Sequence, residues 1–256
     1  MQVTVLGAHN LESATTRLTC FLIDGIIALD AGSLTRSLTF EEQDRIRSLL
    51  LTHHHLDHIR DIATLGLFIQ GRRSIDLYAP DSVLNALTSN IINNDIYPDF
   101  TQRPSREAPT LRTHPVRPGE PFELGNYRVL AANVPHGIPT VGYQITSSEG
   151  ASVFFTGDCG PGLSACWPFI QPQTIFVDLT VPNRLEAHAV SAQHLSPGLL
   201  KVELLEFRDI RGYLPRIIAI HLTPQDEREI GRELAELGHE LGASIELGHE
   251  DMIVEV

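Results

Sequence analysis

The sequence predicts an α/β fold of mixed β-sheets whose outer faces are covered by helices. Three observations predict it: short apolar runs bounded by turn residues outnumber helical stretches, many neighbouring runs are joined by hairpin signals, and the helical stretches are interspersed among them. No charge run, low-complexity segment or Pro/Gly linker divides the chain, so its 256 residues are expected to form one domain spanning 1–256.

Taken in order, residues 2–6, 19–23, 26–30 and 48–52 read as strands, and Asp24-Gly25 supplies a hairpin turn between the second and third. Residues 40–47 and 58–70 suit helices. A second series of strands is expected at 75–78, 127–134, 142–146, 153–156, 174–179 and 217–220, with helices at 81–91, 194–207 and 224–241. A last strand pair falls at 244–247 and 252–256. Residues 97–121, rich in Pro and Arg, read as a long loop on the substrate side.

Composition narrows the partners. The formal charge of −13 repels phosphate backbones, so broad contact with nucleic acid is disfavoured. A small anionic substrate is still admissible, because bound divalent cations invert the local field. Cys20, Cys159 and Cys166 form no CxxC pair and leave an odd count, which fits a reducing compartment. The start, MQVTVLGA, has no basic region or long apolar stretch, and no apolar run reaches the ~18 residues that a membrane span needs. A soluble cytoplasmic protein is expected, with a homodimer left open.

The chemistry is concentrated in Leu49-Leu50-Leu51-Thr52-His53-His54-His55-Leu56-Asp57-His58, where an apolar strand runs into four histidines and an aspartate before a helix. Imidazole and carboxylate suit zinc, iron or manganese. His53 and His55 lie two apart, hence on one side of an extended backbone. Asp57 and His58 fall at the strand-to-helix turn, where both can face a shared centre. One metal would not need so many ligands from one loop; two adjacent metals would. A solvated His-rich loop is the plainer alternative for the triplet alone.

The HxHxDH pattern after a strand resembles the signature of the metallo-β-lactamase superfamily. That resemblance implies a four-layer αββα sandwich of two mixed sheets, and three further ligands at strand ends. His136 in Val134-Pro135-His136-Gly137, Asp158 in Phe155-Thr156-Gly157-Asp158 and His221 in Ile220-His221-Leu222-Thr223 match them in order. The implied sites are His53, His55, His136 and Asp158 for one metal, and Asp57, His58, His221 and the bridging Asp158 for the other. A hydroxide between the metals would be the nucleophile, with Asp57 orienting it. Asp30, in Leu29-Asp30-Ala31-Gly32, would support the ligand loop. Two divalent ions are implied, with zinc the default and manganese or iron as alternatives.

Further segments resemble class II cyclic-nucleotide phosphodiesterases: His53–Ile59 as HHHLDHI, 94–100 as NDIYPDF, Gly157-Asp158-Cys159-Gly160-Pro161, 181–186 as VPNRLE, and His194-Leu195-Ser196-Pro197. The resemblance runs from about Val5 to Leu237. It implies hydrolysis of 3′,5′-cyclic nucleotides (cAMP or cGMP) or a similar small phosphodiester, with His194 as the helper that contacts phosphate or protonates the leaving oxygen. Cys159 stands where Thr is common, and the loop after the first strand lacks a Gly pair. Alternatives are tRNA 3′-end cleavage of the ribonuclease Z type, thiolester or lactone hydrolysis, and a non-hydrolytic metal-binding or sensory protein. His9 is a candidate border residue of the site. His54, His114, His188, His239 and His249 read as surface or structural, Arg103 and Arg106 as loop cations, and the acidic run at 224–241 as a solvated helix face.

Overall fold

The computed structural model describes residues Met1–Val256. Strands β1 (Gln2–Gly7), β2 (Cys20–Ile23) and β3 (Ile27–Leu29) form an antiparallel meander. Asp24 and Gly25 both adopt positive φ between β2 and β3, in a tight turn closed by the Ile26 amide on the Ile23 carbonyl. After α1 (Leu34–Ser37) comes α2 (Phe40–Arg45), started by a reciprocal capping box between Thr39 and Glu42. Then β4 (Ser48–Leu50), α3 (Leu56–Ile59), α4 (Ile62–Ile69), β5 (Ile75–Ala79), α5 (Asp81–Asn90) and β6 (Leu111–Pro115) extend the sheet in parallel from β3.

The second half repeats the plan. Strands β7 (Pro121–Leu124), β8 (Tyr127–Val134), β9 (Thr140–Ser147) and β10 (Ser152–Phe155) are antiparallel neighbours. Strands β11 (Thr174–Asp178), β12 (Arg216–Ile220) and β13 (Ile245–Leu247) follow in parallel, with α6 (Glu186–Ala192), α7 (Pro197–Arg211) and α8 (Glu227–Leu241) between them. Strand β14 (Ile253–Glu255) returns to pair with β1. The result is two seven-stranded sheets, ordered 14-1-2-3-4-5-6 and 13-12-11-10-9-8-7.

Three apolar layers follow from the two-residue period of the strands. One face of each sheet meets the other sheet, in a core of 22 buried residues around Phe21, Phe155 and Phe176. The opposite faces meet helices: 22 buried residues lie beneath α1–α5, and 21 beneath α6–α8. Neighbours in sequence split accordingly, Phe155 and Ile218 facing the other sheet, Phe154 and Ile217 facing helices. The architecture is therefore helix, sheet, sheet, helix, the four-layer sandwich expected.

Several elements differ in detail. The stretch 97–121 holds β6, a short edge strand with only Leu111 buried, so it shows no alternation, and its closing Pro115 is tolerated only because no strand lies beyond. The helix expected at 58–70 is two, α3 and α4. The helix expected from His194 starts at Pro197, since Ser196 caps it and proline suits the first helical position. His194 therefore stands on the strap before the helix.

Candidate metal centre

The chain leaves β3, β4, β8, β10, β11 and β12 at one edge of the sandwich, and the chemistry-bearing side chains collect there. His53 and His55 follow β4, Asp57 and His58 lie in α3, His136 follows β8, Asp158 follows β10 and His221 follows β12. The structure brings all seven together in two groups sharing Asp158: His53, His55, His136 and Asp158, and Asp57, His58, His221 and Asp158. Within each group the candidate donor atoms lie within 4.8 Å of one another.

Asp158 Oδ2 lies 3.5 Å from His53 Nε2 and 3.4 Å from His221 Nε2, and Asp158 Oδ1 is 3.0 Å from His58 Nε2. Yet His53 Nε2, His58 Nε2 and Asp158 Oδ1 are buried without a hydrogen-bond partner. Close atoms that do not align toward each other converge on a third point. Buried orphans of this kind are costly unless something fills that point, so the residues fit divalent cations. The donor set, five imidazoles and two carboxylates, suits borderline transition metals.

The far nitrogen of four imidazoles is fixed from behind. His58 Nδ1–H donates to Asp30 Oδ2 at 2.7 Å. The Thr52 hydroxyl donates to the same carboxylate, so its oxygen accepts from His53 Nδ1–H at 3.0 Å. Thr180 donates to Asp178 Oδ1 at 2.7 Å and accepts from His221 Nδ1–H at 2.9 Å. His136 Nδ1–H donates to the Gln193 carbonyl at 3.1 Å. Each bond aims Nε2 at the cluster, where a neutral ring would offer its lone pair to a cation. Gly157 sits at positive φ where a Cβ would lie 2.9 Å from that of Thr52, so only glycine lets the Asp158 loop pass the histidine strand.

Electrostatics separates the imidazoles. Burial, with the neighbouring His58, pushes His53 down to about 4, and burial with His136 lowers His55. Burial opposes charge on His58, but Asp158 and Asp30 on its two sides outweigh it and hold a proton there. Burial would raise Asp158, yet His221, His58 and His53 keep it well below the usual carboxylate range. Asp57 is likewise lowered, burial being outweighed by His221 and His58.

His194 belongs to neither group. Burial disfavours its charge, but Asp178 raises it to about 9. Its Nδ1–H donates to Asp178 Oδ2 at 2.6 Å, its ring lies 5.1 Å from His221 and 5.3 Å from His136, and its Nε2 has no protein partner. Asp178, His194 and His221 also cluster closely. Because both Asp178 oxygens accept hydrogen bonds from Thr180, His194 and the Cys159 amide, this is a supporting frame rather than a third metal group. Reading the sequence missed Asp178 and Thr180; the Asp-x-Thr at the end of a strand, mirroring Asp30 and Thr52, was the available signal.

The other candidates fall outside. His9 is buried between Glu250, at 2.6 Å, and Glu227, at 3.4 Å. His54 is half-buried and in neither group, and His114 stacks on Tyr78 and bonds Asp76. Arg103 and Arg106 bind Asn94 and Gln102 within their own loop. Burial pushes the Cys159 thiol far up, so it is inert. The acidic face of α8 is partly engaged: Asp226 and Glu229 hold Arg184, and Glu233 accepts the Asn183 amide.

Two helix-covered mixed sheets with a shared-carboxylate His/Asp cluster at one edge define a metal-dependent hydrolase of the metallo-β-lactamase architecture. Residues 19–222 match the family described as the beta-lactamase superfamily domain, and the chain belongs to it. Among curated proteins it is similar to ribonuclease Z of Methanopyrus kandleri, 29% identical over 133 residues, covering 48% of this chain and 40% of that protein. The match thus spans less than half of that relative's length. Among solved structures, unliganded yeast PDE1 superposes with a TM-score of 0.84 at 18% identity, covering 100% of this chain and 99% of that one. The metallo-β-lactamase fold protein YhfI of Bacillus subtilis gives 0.81 at 17%, with the same coverage. At these identities the structures speak for the fold. No helix is long and apolar enough to cross a membrane.

Proposed function

We propose that this chain is a phosphodiesterase acting on small phosphodiesters, 3′,5′-cyclic nucleotides such as cAMP and cGMP first among them. The observation that carries the reading is His194: an imidazole beside the shared-carboxylate cluster, held from behind by Asp178, which favours its charged form, and with Nε2 unpartnered. Two divalent cations held by His53, His55, His136 and Asp158, and by Asp57, His58, His221 and Asp158, would supply Lewis acidity and an acidified water. Asp57 would orient the attacking water, and His194 would protonate the departing ribose oxygen. An alkoxide needs such a proton, whereas a thiolate, with a thiol pKa of ~8.5, leaves readily without one. The formal charge of −13 favours a small substrate over an extended phosphate backbone.

A second reading, cleavage at the 3′ end of tRNA precursors, is favoured by the likeness to a protein named ribonuclease Z. It shares the phosphodiester chemistry and differs in substrate size. The test is to count bound metals and to assay cAMP, cGMP, 2′,3′-cyclic nucleotides, bis-p-nitrophenyl phosphate, a tRNA precursor and a thiolester. His194→Ala is expected to keep its metals and lose about 100-fold or more in turnover of 3′,5′-cyclic nucleotides, while Asp57→Ala loses both. Turnover of the tRNA precursor alone supports the second reading, and turnover of the thiolester alone overturns both.

A further inference from the structure

The segment Val181-Pro182-Asn183-Arg184-Leu185-Glu186 lies outside the site, yet its polar groups meet the start of α7, the helix that follows His194. The Gly198 amide donates to Asn183 Oδ1 at 2.6 Å, and the Ser196 hydroxyl donates to Glu186 Oε2 at 3.2 Å. Ser196 also accepts the Leu199 amide at 3.3 Å, capping α7. Glycine at 198 leaves room for this junction, because a Cβ there would lie 2.6 Å from Glu186 Oε2 and 3.0 Å from Asn183 Oδ1 and push those side chains back. The turn is pinned from its other side by α8, through the Asn183 amide on Glu233 and Arg184 on Glu229, each at 2.9 Å.

Between this junction and α6 runs the short strap Gln193–Ser196, and nearly every group on it is tied. The Gln193 carbonyl receives His136 Nδ1–H, the His194 amide donates to the Ala189 carbonyl, and the Leu195 carbonyl accepts from Thr180. The His194 ring is therefore aimed by two fixed ends: Asp178 at the ring, and the junction one residue past Leu195.

We propose that Asn183 and Glu186 are positioning residues for His194: by gripping Gly198 and Ser196 they set the strap so that the His194 ring stays on Asp178 with Nε2 toward the reacting phosphodiester. This inference rests on the proposed proton donation by His194. Both side chains are exposed, so removing them leaves the core untouched.

The test separates positioning from general damage by the leaving group. A nucleoside 3′-oxygen needs protonation, while p-nitrophenolate does not. Asn183→Ala and Glu186→Ala are expected to lower kcat for cAMP by about tenfold, since small misplacements of a catalytic group cost that much or more, and to leave bis-p-nitrophenyl phosphate within about twofold. Asn183→Asp and Glu186→Gln keep an acceptor and should restore cAMP turnover. Gly198→Ala attacks the junction from the helix side and should behave like Asn183→Ala. In the metal-free protein, the His194 Nδ1–H resonance should be sharp in wild type, Asn183→Asp and Glu186→Gln, and broadened in the alanine variants. An unchanged resonance in both Asn183→Ala and Glu186→Ala, or equal losses on both substrates, overturns the inference. His194→Ala is the control. If it shows no dependence on the leaving group, the proposed role of His194 fails; if it does and the junction variants do not, only the junction fails.

Discussion

Each half of the molecule orients its imidazoles with one fully buried carboxylate, Asp30 just past β3 and Asp178 at the end of β11. Each carboxylate accepts a threonine hydroxyl, from Thr52 or Thr180, and that threonine in turn receives an imidazole N–H, from His53 or His221. Each also receives a second imidazole directly, His58 on Asp30 and His194 on Asp178. There the halves part. His58 is fully buried with Nε2 facing Asp158, whereas the His194 side chain is 16% exposed and its Nε2 faces no protein group. One frame thus holds two candidate ligands, and the other holds one candidate ligand and one imidazole whose Nε2 is unpartnered. On the proposed reading, the same carboxylate–threonine device serves binding in the first half and chemistry in the second.

The most severe way to break this comparison is to remove each carboxylate. Asp30 stands behind one imidazole of each metal group, His53 and His58, so Asp30→Ala should weaken both cations by about 10- to 100-fold. Asp178→Ala should weaken only the group containing His221, and should lower turnover further by freeing His194. Metal equivalents retained against graded chelator read the difference. Equal losses in the two variants would mean that the halves are not distinguished as described.

A milder cut removes one relay at a time. Thr52→Val and Thr180→Val keep shape but leave His53 Nδ1–H or His221 Nδ1–H buried without its acceptor, a cost of about 1–3 kcal/mol. Each is expected to loosen a different cation, the His53/His55/His136 site in the first case and the Asp57/His58/His221 site in the second. Stepwise titration with cobalt, whose absorption reports coordination, resolves the two. Loss at the same site in both variants would contradict the relay assignment.

How much of this was legible in the sequence depends on the range of the contact. His53, His55, Asp57 and His58 are readable because strand and turn geometry operate over a few residues, and a pattern that short survives in one dimension. His136, Asp158 and His221 were placed through the family resemblance, by the order and the strand-end positions it implies. Asp178 was not, since its partners His194 and His221 lie 16 and 43 residues on and the local Asp-x-Thr at a strand end does not by itself mark a buried carboxylate. The strands and their covering helices were readable from apolar runs, and their division into two sheets came with the resemblance. Strand β6 was not, because an edge strand with one buried residue carries no period, and the strap at His194 was read as helix because only Ser196-Pro197 marks the true start.

His9 sharpens the comparison from outside, as an imidazole with two carboxylates and no free nitrogen. Both ring nitrogens meet carboxylates, Glu250 at 2.6 Å and Glu227 at 3.4 Å, so it ties the loop after β1 to α8 and to the segment before β14 without facing the cluster. Burial lowers its pKa, but Glu250 and Glu227 outweigh burial and raise it. A raised folded-state value means the charged contacts stabilise fully below the unfolded pKa of about 6.5 and fade as pH rises through the folded value. His9→Asn should therefore keep its metals and its turnover while melting lower, by about 2–4 °C for each kcal/mol lost in a chain of this size. The gap from wild type should be wider at about pH 6 than at about pH 9, because the wild-type imidazole loses its charge as pH rises. Denaturation of both proteins at the two pH values checks it: a gap that widens with pH would reverse the sign, and a loss of metal would move His9 from scaffold to site.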